Sequence, residues 1–123
     1  MRRTLLLILL LLPAMAHQPA QGSAQSDEEL HLHIDRGKYI AGENVWFSIY
    51  STRISGGLLS EMSSVTYVEI INPWNNPVAR GRFLMSDGRG NGCLQIPDTS
   101  SSGDYCIRAY TNAIKTSGPG SFF

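Results

Sequence analysis

The sequence predicts an all-β protein built as an antiparallel sandwich. Apolar and polar residues alternate with a period of two through several short segments, which is typical of half-buried strands. Turn-forming residues separate these segments about every 8–12 residues, as in sandwiches and barrels. After the N-terminal leader, no stretch of ten residues carries a helical period. These observations favour one small two-sheet protein.

Each predicted strand has an inward face that follows from the alternation. The first carries Leu30, Leu32 and Ile34, and the third carries Thr66, Val68 and Ile70. The turn at residues 72–77 contains two prolines, which a central strand could not hold. We expect these side chains to be buried: Val45, Phe47, Ile49, Val68, Ile70, Leu94, Ile96, Tyr105 and Ile107.

The N-terminus has the pattern of a cleaved signal peptide. Two arginines precede a short leucine-rich run, and Ala14 and Ala16 form an A-x-A cleavage site. We predict a signal peptide at 1–16, a disordered linker at 17–29, the sandwich at 30–112, and a linker to a missing next domain at 113–123. The protein is expected to be exported to the periplasm, outer membrane or extracellular space, with no membrane span in the mature chain. Its net charge of zero argues against nucleic acid.

Two motifs resemble a known family. Residues 32–47 place Asp35, Tyr39, Gly42 and Glu43 ahead of a Val-Trp-Phe strand, and residues 103–110 read Gly-Asp-Tyr-Cys-Ile-Arg-Ala-Tyr. Both patterns are similar to the second macroglobulin domain of the alpha-2-macroglobulin and complement superfamily. The tail resembles the exit from this domain in large Bacteroidetes-type cell-envelope proteins.

The sequence departs from the family pattern in two places. Arg36 and Gly37 stand where the family often has Lys and Pro, and Ala113 and Ile114 replace a Trp-Met pair. The resemblance implies an immunoglobulin-like, macroglobulin-type β-sandwich. It also implies a non-catalytic interaction module that packs on adjacent domains of one long protein, with other envelope proteins or proteases as further partners.

The resemblance implies endopeptidase inhibition as a family activity, but this chain lacks the residues that would perform it. Neither cysteine lies in a Cys-Gly-Glu-Gln thioester motif, and no bait region is present. The alternative function is a peptide- or glycan-binding module of an outer-membrane uptake system. We do not expect an enzyme, because the sequence has no Gly-x-Ser-x-Gly elbow or other catalytic constellation.

The outward strand faces carry two candidate sites, one for a metal ion and one for an aromatic interface. His31, His33 and Asp35 alternate on one face, but Asp35 is better suited to capping a turn, so no metal or cofactor is predicted. Exposed aromatic side chains can mark an interface. The predicted interface residues are Trp46, Tyr50, Trp74 and Tyr110.

The two cysteines, Cys93 and Cys106, are candidates for a disulfide. A turn over residues 97–102 would place Ile96 opposite Gly103 in an antiparallel pair. The same register sets the two cysteines opposite each other, within bridging distance. Export to an oxidising compartment favours the bridge. Two reduced thiols remain the alternative.

Overall fold

The structure is a computed structural model that describes residues 27–116. Within this range, six strands and one short helix follow in order: β1 Glu28–Ile34, β2 Asn44–Arg53, β3 Val65–Ile71, β4 Pro77–Leu84, β5 Arg89–Gln95, β6 Cys106–Tyr110 and α1 Asn112–Thr116. The all-β prediction is confirmed.

The strands form two antiparallel sheets that face each other. The first sheet has the order β1-β2-β5, and the second has the order β4-β3-β6. Apolar side chains from both inner faces meet in one core cluster, whose fully buried members include Ile49 and Val68. Phe47 packs edge-to-face on Phe83, with ring centroids 4.9 Å apart. The predicted immunoglobulin-like sandwich is therefore confirmed.

The inward-facing residues are largely as predicted. Six of the nine are buried, namely Val45, Phe47, Ile49, Val68, Ile70 and Leu94. The other three, Ile96, Tyr105 and Ile107, are half-buried and pack against the core. On β1, Leu30 and Leu32 are buried, whereas Ile34 is 41% exposed.

The predicted pairing of the last two strands is wrong, and the disulfide fails with it. β5 pairs with β2, so Cys93 lies opposite Trp46, whereas β6 pairs with β3, so Cys106 lies opposite Ile71. The cause is at Ile96, whose backbone exchanges hydrogen bonds with Gly42 and Glu43 rather than with a hairpin partner. The chain then crosses to the other sheet. Both cysteines are free thiols.

The β4–β5 hairpin is tighter than the glycine-rich sequence indicates. Ser86 and Arg89 exchange two backbone hydrogen bonds around Asp87 and Gly88, which both have positive φ. This is the geometry in which Asp-Gly is favoured. β5 then continues through Gly92, where a Cβ would lie 2.3 Å from the Phe83 ring. The glycine therefore makes room for a core aromatic side chain.

Both predicted boundaries of the sandwich need correction. β1 begins at Glu28, inside the predicted linker, because the alternation extends one step before Leu30 and Glu28 is 3% exposed. Residues 112–116 form α1 rather than a linker, and its Ile114 is 1% exposed in the core cluster. The predicted signal peptide and the tail from residue 117 onward lie outside the described residues.

Candidate interaction surfaces

The corner between β1 and β2 is closed by side chains of the family-like motif. Asp35 accepts hydrogen bonds from the Tyr39 hydroxyl at 2.5 Å and the Trp46 amide at 3.2 Å. Glu43 accepts one from the Ile40 amide at 2.7 Å and pairs with Arg36 at 3.3 Å. The Tyr39 hydroxyl contributes most to lowering the pKa of Asp35, and the Ile40 amide contributes most to lowering the pKa of Glu43. The motif therefore builds a corner.

The three side chains of the candidate metal site make separate contacts. Asp35 accepts the hydrogen bonds of the β1–β2 corner, and each histidine contacts a different residue. His31 Nε2 lies 3.1 Å from the Thr52 hydroxyl, and the His33 ring packs edge-on against Tyr50 with centroids 5.6 Å apart. Among residues 27–116, no three His, Cys, Asp or Glu side chains are grouped so that they could hold a metal ion.

A buried carboxylate that the sequence-based reasoning missed joins several elements. Glu28 accepts hydrogen bonds from the hydroxyls of Ser51 and Ser63 at 2.7 Å and of Thr111 at 2.8 Å. Thr111 in turn accepts the Ile114 amide at 3.2 Å, which ties α1 to β1. The signal was present in the sequence: Glu28 continues the inward face of β1, and Ser51 continues that of β2.

The predicted interface residues do not form one surface. Trp46 and Tyr50 lie on the outer face of the first sheet, Tyr110 lies on the outer face of the second sheet, and Trp74 lies in the β3–β4 turn. Trp46 is 56% exposed beside an open depression of about 390 Å³. The depression is also lined by polar side chains, including those of His33, Ser48 and Asn91.

A larger groove of about 710 Å³ opens between the β1–β2 corner and the start of β6. Apolar side chains form much of its wall, among them Ile34, Tyr39, Ile40, Ile96 and Ile107. The Tyr105 hydroxyl donates to the Ser101 carbonyl at 2.9 Å and fixes that rim. Ile40 is 75% exposed at the other rim. The inner space of the sandwich therefore reaches solvent on this side.

Further exposed apolar side chains lie at the opposite end of the sandwich. The segment between β2 and β3 exposes Ile54, Leu58, Leu59 and Met62, and the end of β4 exposes Leu84. The sequence-based interface prediction concentrated on aromatic residues and missed these aliphatic ones. Only a contiguous apolar patch marks a contact with another protein, and single exposed apolar side chains are normal on a protein surface.

Architecture and topology together define the class of this domain, an antiparallel, immunoglobulin-like β-sandwich. Among solved structures, the chain is similar to a cryo-EM reconstruction of the native conformation of E. coli alpha-2-macroglobulin, with a TM-score of 0.60 and 16% identity. The match covers 74% of this chain and 6% of that one. At this identity, the likeness shows the fold alone.

The other comparisons add no relatives. No family model matches the sequence, and no curated protein does. None of the helical residues within 27–116 belongs to a helix long and apolar enough to cross a membrane.

Proposed function

We propose that the chain is a non-catalytic, macroglobulin-type interaction module of an exported bacterial envelope protein. Its partners are adjacent domains of the same full-length protein, with other envelope proteins or proteases as further contacts. The leader at residues 1–16 supports export. The solved structure with the similar fold is a much longer protein, of which this chain spans 6%.

The open groove is the observation that carries the proposal. Ile34 lies on the same face of β1 as the buried Leu30 and Leu32, yet it is 41% exposed because the groove opens beside it. Fully burying one such side chain stabilises a contact by about 1.5–3 kcal/mol. Together with the still more exposed Ile40, it forms an apolar surface that docking of an adjacent domain would cover.

Hydrogen–deuterium exchange tests the docking. The 123-residue chain is compared with the whole product of its gene, and we expect backbone amides at Ile40 and Cys106 to exchange more slowly in the larger protein. The Ser48 amide in the central strand β2 is the control and should exchange equally in both. Equal exchange at the groove in both proteins would refute docking there.

The Trp46 depression supports a second candidate function, binding of a glycan. An exposed indole beside polar His33, Ser48 and Asn91 offers a stacking plane and hydrogen-bond partners. Glycan-array binding should be lost in Trp46→Ala and retained in Trp74→Ala, which removes the other tryptophan. Equal binding by both variants would exclude this site.

We propose endopeptidase inhibition only for the full-length protein and not for this chain by itself. This chain contains neither a Cys-Gly-Glu-Gln motif nor a bait region. The chain's own contribution to such an activity would be contact with other domains.

A further inference from the structure

The outer face of the second sheet carries a concentrated positive charge. Register places Arg82, Tyr67 and Tyr110 side by side in one row, and Arg80, Glu69 and Arg108 in the next. Lys115 of α1 reaches the same face, with its Nζ 5.9 Å from the centre of the Tyr110 ring. Glu69 is the one acidic residue in the three strands of this sheet. We call these rows, with Lys115, the cationic face.

The centre of the cationic face is already ordered. Glu69 is 6% exposed and accepts hydrogen bonds from Arg108 Nη2 at 2.5 Å and the Tyr110 hydroxyl at 3.2 Å. Tyr110 stacks on Tyr67 with ring centroids 5.4 Å apart. Burial raises the pKa of the Glu69 carboxyl, but Arg108, Tyr110 and Arg80 together outweigh burial and hold this pKa below its ordinary value. A carboxylate bound between arginine and tyrosine is thus part of this face.

Arg80 and Arg82 are exposed beside this ordered centre. They alternate along β4, so they lie about 6.6–6.8 Å apart on one face. An extended segment of another protein with carboxylates at every second residue has the same spacing. Arginine suits such a contact because its planar fork donates two hydrogen bonds to one carboxylate.

The charges of the chain are segregated between its surfaces. The cationic face holds four of the eight lysines and arginines within residues 27–116, although the whole chain has zero net charge. The other nine acidic residues lie off this face, on the first sheet and the connections. A short acidic segment matches the extent of this patch, which is two rows of side chains across three strands.

We propose that the cationic face is a docking surface for an acidic protein segment in extended conformation, with carboxylates at alternate residues that pair with Arg80 and Arg82. This contact is separate from the groove. Complementary charge of this kind speeds association and selects the partner.

The test uses a peptide of alternating Glu and Thr, with its binding to the purified chain measured by calorimetry. Binding is expected, and Arg80→Ala/Arg82→Ala should weaken it about tenfold, because two exposed ion pairs are lost. Lys38→Ala/Arg89→Ala removes the same charge elsewhere and should change affinity less than about twofold. Circular dichroism checks that both variants remain folded.

Absence of binding to the alternating Glu–Thr peptide would overturn the proposal, and so would each of three further outcomes. The first is equal binding of a peptide with Gln in place of Glu. The second is an equal loss of affinity in both double variants, which would show a general effect of charge. The third is tighter binding to anionic phosphatidylglycerol vesicles or to single-stranded DNA than to the acidic peptide.

Discussion

Replacing Glu28 by alanine should strongly destabilise the sandwich, although no surface contact is touched. The carboxylate accepts three hydroxyl hydrogen bonds, from Ser51, Ser63 and Thr111. A hydrogen bond to a charged group contributes about 1.5–3 kcal/mol, and removing the carboxylate also relieves the cost of burying it. We expect a net loss of about 3 kcal/mol in the free energy of unfolding, from the total of about 5–15 kcal/mol typical of such domains.

Urea unfolding followed by tryptophan fluorescence measures this loss. Glu29→Ala is the matched control, because its side chain is exposed on the same strand and its replacement should cost less than about 0.5 kcal/mol. If Glu28→Ala does not fold, Ser63→Ala removes a single donor and should cost about 1 kcal/mol. A loss for Glu28→Ala below about 1 kcal/mol, or equal to that of Glu29→Ala, would refute the reasoning.

Three further predictions follow from other parts of the structure. Gly92→Ala should lower the free energy of unfolding by about 1–3 kcal/mol, because the new Cβ meets the Phe83 ring, whereas Gly56→Ala has open space and should be near neutral in the same urea assay. The free energy of unfolding should fall as the pH drops below the ordinary carboxyl pKa of 4.5. The pKa of Glu69 is lowered in the folded chain, so as the pH falls the unfolded chain takes up this proton before the folded chain does. Urea titrations at several pH values should show a smaller fall in Glu69→Gln. Thiol titration of the unreduced, unfolded protein should find both cysteines free, and a single disulfide would contradict the sheet order.

Much of the fold could be predicted from the sequence because alternation is a local property of each strand. The inward faces of β2 and β3 are correct down to Phe47 and Val68, since a shift of one residue would expose the whole face. Pairing between strands is not local. The alternation of β5 and β6 is equally compatible with a hairpin and with two different sheets, so the cysteine pairing could not be decided by it.

The surfaces were harder to predict for a related reason. Trp46 and Tyr110 both face outward as predicted, but which sheet a strand joins decides whether outward residues share a face. The rows around Glu69 depend on pairings of β3 with both β4 and β6. The Glu28 network could have been found by extending the alternation, but a charged residue argues against burial unless its partners are known.

The sheet order also has a consequence for how fast the chain folds. Each sheet is completed by a strand from far along the sequence: Trp46 pairs with Cys93, and Val68 pairs with Ala109. Closing such long loops costs conformational entropy before the strand-pairing contacts stabilise the chain. Proteins dominated by distant pairings therefore fold in milliseconds to seconds. The β1–β2 and β3–β4 hairpins can form early, but neither sheet is complete until β5 and β6 arrive. Each sheet therefore keeps an unpaired strand edge until the C-terminal part of the chain has been synthesised.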